Sequence, residues 1–155
     1  MMNVISNRAF IRRLVFGIAL LTLAPFASVF AESLAWQTDY AAAKSAATQQ
    51  NKYILLDFTG SDWCPYCIQM DKEVFAKPVF STFAGQKLIL VKLDFPRKAN
   101  QSAAEKSQNQ ELAKKYSIEG FPTYVLLDPS GKEVRRQVGY LEGGPEAFIG
   151  WAQVK

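Results

Sequence analysis

The two cysteines of this 155-residue chain stand three positions apart, as Cys64-Pro65-Tyr66-Cys67. They follow an apolar run, Tyr53-Ile54-Leu55-Leu56-Asp57-Phe58, which reads as a buried strand. Beyond them, Ile68 to Phe75 reads as a helix, because Cys67, Met70 and Val74 fall at i, i+3 and i+7 on one face. The pair is therefore expected at a strand-to-helix junction, with Cys64 at the helix N-terminus. Pro65 would occupy or adjoin the first helical position, where a missing N–H costs nothing. The partial positive charge of a helix N-terminus favours a thiolate, and the thiolate is the nucleophile of disulfide exchange. Cys64 is then the attacking sulfur, and Cys67, one turn on, the resolving one.

Two other readings of the pair are weaker. A purely structural bridge would close a loop too short to restrict the unfolded chain much. Half of a zinc site would need further ligands, and the chain has no other Cys and no His. No metal is expected, and no cofactor beyond the redox-active disulfide Cys64–Cys67 itself.

The first 31 residues carry a different signal. Arg8, Arg12 and Arg13 form a positive n-region, Leu14 to Ala24 an apolar stretch of eleven residues, and Val29-Phe30-Ala31 a site with small residues at the inspected positions. Residues 1–31 are expected to be a signal peptide cleaved after Ala31, leaving 32–155 as one domain. The competing reading is an uncleaved anchor, since Leu14 to Ala31 is 18 residues without charge, at the short edge of a membrane span. Pro25 and the cleavage site favour removal. No cysteine lies near that site, which excludes a lipid-anchored N-terminal cysteine. With the three arginines gone, 15 basic residues face 14 acidic ones. No clustered basic face emerges, so a nucleic-acid partner is not expected. Exported proteins commonly spend cysteines on structural bridges. Here both are spent on one tight pair, which points to a protein that works on other proteins' disulfides.

The remaining elements follow in order. Thr38 is expected to cap a helix from about Asp39 to Gln50, with Tyr40, Ala43 and Ala47 on one face. Pro78 opens a short helix over Val79 to Ala84 that Gly85 stops. Leu88 to Leu93 is a second buried strand, parallel to the first. The loop with Pro96, Arg97 and Lys98 reads as solvated surface, with contact to a partner as the weaker alternative. Ser102-Ala103-Ala104-Glu105 is a capping box for a helix reaching about Tyr116, with Leu112 and Tyr116 facing the core. Strands over Tyr124–Leu127 and Glu133–Val138 flank the turn Asp128-Pro129-Ser130-Gly131 and form a hairpin. A final helix starts near Pro145. Strands alternating with helices and ending in a hairpin imply an α/β fold, a central mixed sheet covered on both faces.

These residues resemble the thioredoxin superfamily. Trp63-Cys64-Pro65-Tyr66-Cys67 is similar to its active site, and Gly120-Phe121-Pro122-Thr123, ahead of a strand and a terminal hairpin, to its cis-proline loop. The resemblance covers nearly all of 32–155. The resemblance implies a thioredoxin-like fold and a cis Phe121–Pro122 bond beside Cys64, in a loop that binds the substrate backbone. Asp57-Phe58-Thr59-Gly60-Ser61-Asp62-Trp63-Cys64, Val91-Lys92-Leu93-Asp94-Phe95-Pro96, Gly120-Phe121-Pro122 and Gly143-Gly144-Pro145 bring it closer to the small exported disulfide reductases of the superfamily. That implies a periplasmic thiol–disulfide oxidoreductase reducing protein disulfides through a mixed disulfide. Trp63, Phe121 and Pro122 become candidate substrate-binding residues, Trp63 alternatively serving in packing. Asp57 resembles the superfamily's buried acid, displaced by one residue relative to the first cysteine. It is either a proton acceptor for Cys67 or a polar strand terminus, and Lys92 is placed to pair with it across adjacent strands.

Direction is the open choice. The superfamily's strong oxidants usually carry a His between the cysteines, stabilising the thiolate; this chain has none. Reductase is favoured, with oxidase, isomerase or a non-enzymatic module of the same fold as alternatives. The expected partners are disulfide-containing exported proteins and a transmembrane electron donor, the protein itself acting as a monomer.

Overall fold

The computed structural model describes residues 35–153. The expected signal segment and its cleavage site lie outside the described residues. Among the described residues, no helix is long and apolar enough to cross a membrane.

Among the described residues there are five α-helices and four strands. In order they are α1 (Tyr40–Gln50), β1 (Tyr53–Thr59), α2 (Pro65–Met70), α3 (Pro78–Lys87), β2 (Leu88–Asp94), α4 (Ala103–Lys115), β3 (Thr123–Leu127), β4 (Glu133–Val138) and α5 (Gly144–Ala152). The strands form one mixed sheet in the order β2-β1-β3-β4. β1 runs parallel to β2 and antiparallel to β3, and β3–β4 is the expected hairpin. Gln37, outside the strands, adds an isolated parallel bridge to Val91 on the edge of β2.

Both faces of the sheet are covered, which is why β1 reads as a nearly continuous apolar run. On one face Ile54, Leu56 and Phe58 pack with Ala43 and Ala47 of α1 and with Leu112 and Tyr116 at the end of α4. On the other, Leu55 packs with Met70, Val74 and Phe75, with Phe80 and Ala84 of α3, and with Phe148 and Ala152 of α5. Phe75 and Phe148 meet edge to face, their ring centroids 5.1 Å apart, the geometry that ring quadrupoles prefer. Asp57, Lys92 and Tyr124 lie in register across β2, β1 and β3. They belong to the face under α2, because side chains alternate along a strand and Leu55, Leu90 and Tyr124 pack there.

Three details differ from expectation. Asp39, not Thr38, caps α1, its carboxylate accepting the Ala42 N–H at 3.0 Å. The redox helix opens at Pro65 behind Cys64, as expected, but after Met70 it continues as a π turn over Asp71–Phe75. Gly85 does not stop α3, which runs to Lys87 and passes directly into β2. Anchoring of α3 by buried Phe80 and Ala84 outweighs the roughly 1 kcal/mol that an interior glycine costs a helix. At α4 the Ser102 side chain accepts the Glu105 N–H at 3.1 Å, as the capping box requires.

Candidate active site

The site grows from the end of β1. Thr59 ends the strand, and residues 60–63 turn the chain so that Cys64 becomes the N-cap of α2, with Pro65 in the first turn. Cys64 and Cys67 are joined as a disulfide, their Cα atoms 5.3 Å apart. The Cys67 N–H points at Cys64 Sγ from 3.2 Å. An amide donor at the start of a helix is the environment that favours negative charge on that sulfur once the bridge is reduced. Cys67 faces inward with Met70, as its spacing predicts. Cys64 is 4% and Cys67 2% exposed. Beside them the apolar side chains of Tyr66 and Ile68 stand in solvent.

The turn before Cys64 is tied to the loop after β2 by side chains of both. Ser61 donates from its amide and its hydroxyl to the Asp94 carboxylate, at 2.9 and 2.6 Å. Asp62 accepts the backbone N–H groups of Arg97, Lys98 and Ala99 at 3.0, 2.7 and 3.1 Å. Those bonds, Arg97's first, hold the Asp62 carboxyl below the usual range. Trp63 donates from Nε1 to the Phe95 carbonyl at 2.8 Å. The Arg97 guanidinium lies over the Trp63 ring, 3.9 Å from its centroid, a cation–π stack. Arg97 is thus exposed yet engaged within the chain, where the sequence suggested solvated surface or a partner contact. Gly60 makes room for the ring: a Cβ there would stand 2.5 Å from Trp63 Cε2.

The second motif arrives from the loop ahead of β3. Phe121 meets the Trp63 ring edge to face at 5.8 Å and the Phe95 ring at 5.0 Å. The Phe121–Pro122 peptide bond is cis. Trp63 therefore links the cysteine turn, the 95–99 loop and the Gly-Phe-Pro loop.

Asp57 lies beneath, 1% exposed. Its Oδ1 has no hydrogen-bond partner among the described residues. Burial, only partly opposed by Lys92, pushes its carboxyl up to about 8. Lys92 is its register neighbour, but the ion pair expected between them goes elsewhere. Lys92 Nζ lies 3.2 and 3.1 Å from the two Asp71 oxygens and 5.4 Å from the Trp36 ring centroid. Asp71 wins because the first residue of the π turn brings its carboxylate to the partly exposed ammonium, while burial favours the uncharged form of Asp57 and weakens its hold on a cation. The sequence reading missed Asp62, Asp71, Phe95 and Arg97. Only the spacing Cys67-x-x-x-Asp71, one helical turn, offered a local signal. Among the described residues no group of three or more His, Cys, Asp or Glu side chains gathers as a metal site.

Comparison with known proteins agrees with this geometry. The sequence profile of the family described as a thioredoxin-like domain matches residues 40–153. Over 121 residues the chain is 40% identical to the Chlamydia pneumoniae protein named disulfide bond reductase DsbH, covering 78% of this chain and 72% of that one. It is 33% identical over 103 residues to thiol:disulfide interchange protein DsbD 2 of Pseudomonas aeruginosa, 64% of this chain but only 16% of that much longer protein. A solved structure named DsbH oxidoreductase superposes with a TM-score of 0.72 at 38% identity, covering 83% of this chain and 88% of the other.

Proposed function

This chain belongs to the thioredoxin-like domain family and is a thiol–disulfide oxidoreductase, and from that premise we propose that it is exported to the periplasm and reduces disulfides of other exported proteins. The observation that carries the proposal is Cys64 as the N-cap of α2 with the Cys67 amide on its sulfur. The Cys64 thiolate attacks one sulfur of the substrate disulfide. That S–S bond breaks, one substrate sulfur leaves as a thiolate, and a mixed disulfide forms on Cys64. Cys67 then loses its proton to the Asp57 carboxylate and attacks Cys64 Sγ, releasing the second substrate thiolate. Two electrons pass from the cysteine pair to the substrate, and the Cys64–Cys67 bridge remains. An acid near 8 is suited to this exchange, because a group that titrates near working pH both takes and returns a proton.

Substrate is received against the partly exposed Trp63 and Phe121, with Pro122 buried behind them and its loop offering backbone, and exposed Tyr66 adds apolar area beside the sulfurs. The reducing direction is supported by the absence of His from the chain, which leaves the reduced state without the cation that stabilises it in strong oxidants. It is supported also by the relative named disulfide bond reductase DsbH. An exported dithiol is oxidised by its surroundings and has no access to the cytosolic reductants. A membrane-spanning electron donor must therefore restore it. The protein works as a monomer, without metal or bound cofactor.

Dithiothreitol-coupled reduction of insulin by the chain lacking residues 1–31, with refolding of reduced RNase run in parallel, tests the direction. Insulin reduction with slow RNase oxidation is expected. Fast RNase oxidation, with a couple in glutathione buffers as oxidising as the dedicated periplasmic oxidases, would overturn it.

A further inference from the structure

We propose that Asp71 is a positioning residue for the redox pair: by holding the Lys92 ammonium, it sets how much of that charge reaches the buried Asp57 carboxyl, and so how readily Asp57 exchanges a proton with Cys67. This rests on the reading of Asp57 as the proton acceptor of a reducing dithiol.

Three observations converge. Asp57 is buried, with Oδ1 unpartnered among the described residues. An orphaned carboxylate oxygen in the interior is costly and is expected to find a donor. The cation built to satisfy it is one strand away, since Lys92 is its partner in the parallel register and neighbouring strands lie about 4.8 Å apart. Yet both oxygens of Asp71 hold that ammonium, and the Trp36 ring flanks it. With side chains 25% and 35% exposed, the Lys92–Asp71 pair is at the margin of the core, where partners can be exchanged.

The position of Asp71 gives the pair its meaning. Asp71 is the residue at which the helix widens into its π turn, and its own N–H reaches back to the carbonyls of Cys67 and Ile68. The element that carries the resolving cysteine therefore also carries the carboxylate that competes for Lys92. π turns inserted into α-helices frequently occur at functional sites. The charged and titratable groups facing Asp57 are Lys92 and Asp94 from β2, Asp71 from the helical turn and Tyr124 from β3. Lys92 pulls the Asp57 carboxyl down, Asp71 and Asp94 push it up, and burial outweighs them all. Asp57 in turn contributes to the raised Tyr124 hydroxyl, after burial of that group itself.

The chemistry follows from who holds Lys92. While Asp57 is protonated, the ammonium stays with Asp71. When Asp57 gives its proton to the Cys67 sulfur, as the donor opens the bridge and that sulfur leaves as a thiolate, the new carboxylate draws Lys92 inward. Proton return from the Cys67 thiol, during attack on the mixed disulfide, sends the ammonium back to Asp71. Asp71 is thus the counterweight that keeps Asp57 from being held permanently ionised by Lys92.

The test is the titration of the Asp57 carboxyl carbon by NMR in the oxidised protein, with the pH profile of insulin reduction measured beside it. Asp71→Asn is expected to lower the Asp57 midpoint by about one pH unit or more, the usual effect of a freed cation at close range. The activity profile should move to lower pH with it. Asp71→Glu should restore both, and Asp71→Ser provides a second neutral variant if the Asn protein folds poorly. In a Lys92→Met background the same Asp71→Asn change should move the midpoint by less than half as much, because Asp71 acts through Lys92. An equal shift in both backgrounds would reduce Asp71 to a simple like charge and overturn the proposal, as would no shift at all. If the titrations behave as expected but the wild type reduces no disulfide, the reductase reading fails while the control of Asp57 by Asp71 stands. If the wild type is active and the midpoint does not move, only the present proposal fails.

Discussion

Cys64 and Cys67 are almost equally buried, so exposure does not rank them; their places on the helix do. Cys64 caps it and receives an amide, whereas Cys67 lies one turn inside against Met70. Cys64→Ser is therefore expected to abolish disulfide reduction. Cys67→Ser is expected to leave attack intact and accumulate covalent mixed disulfides, visible on non-reducing gels and released by dithiothreitol. Trapping by the Cys64→Ser protein instead would reverse the two roles. This pair was legible in the sequence because its meaning is local: two residue types, one spacing, one strand and one helix around them. Asp62 and Arg97 were not, because their partners lie 35 residues away for Asp62–Arg97 and across a loop for Arg97–Trp63. A carboxylate that collects three loop amides looks in sequence like any other surface acid. Lys92 was legible only in part. The register that puts it beside Asp57 follows from two adjacent parallel strands, but the competing acid on the helix does not.

At the scale of elements, periodicity located every strand and helix of the described residues, while ends and interruptions escaped it. Adjacent Thr38 and Asp39 are both good caps, and nothing local decides between them. The π turn over Asp71–Phe75, which buries Val74 and Phe75, has no composition of its own to mark it. Gly85 was read as a stop because glycine usually ends helices, yet it sits inside α3 with no atom within 4 Å of the place a Cβ would occupy. Nor is its φ positive, unlike those of Gly131 or Gly139. Gly85→Ala is therefore expected to stabilise the protein by about 0.5–1 kcal/mol, through helix propensity and a less disordered unfolded chain. Reversible denaturant unfolding measures it. A destabilised variant would mean that α3 does not hold its helical form through Gly85.

For the whole molecule, the buried acid links site and fold. A carboxyl raised from 3.8 to about 8 binds its proton more tightly when folded than when unfolded. Its stabilising contribution is complete below pH 4 and is lost as the pH rises through 8. Over that window the loss is about 1.4 kcal/mol for each pH unit crossed, as an upper bound. Asp57→Asn removes the titrating group. Its stability relative to wild type should grow between pH 5 and pH 8, by urea unfolding at the two values. A constant difference would mean that Asp57 ionises as freely in the folded chain as in the unfolded one. Fold class, the parallel β1–β2 pair and the β3–β4 hairpin were within reach of the sequence, because they follow from alternating strands and helices ending in a hairpin; the strand order that seats β3 against β1 was not. The cost built into the middle of β1 was not, since Asp57 sits among Ile, Leu and Phe and only burial reveals what it does to a carboxyl.

The three amides held by Asp62 also bear on how long the protein survives among proteases. Arg97 and Lys98 present two bonds of the kind a trypsin-like enzyme cuts, in an exposed loop. A protease must draw its target out as an extended strand, so it can enter only when the loop lets go locally. The amide nitrogens of both scissile bonds, those of Lys98 and Ala99, are hydrogen-bonded to Asp62, and the Arg97 side chain is occupied on Trp63. In the Asp62→Ala protein, brief trypsin digestion under native conditions should cut after Arg97 or Lys98 at least several-fold faster, with the two fragments identified by mass. Equal rates would mean that the loop opens independently of Asp62. On this account Asp62, two residues before Cys64, guards the chain against degradation at an exposed basic turn.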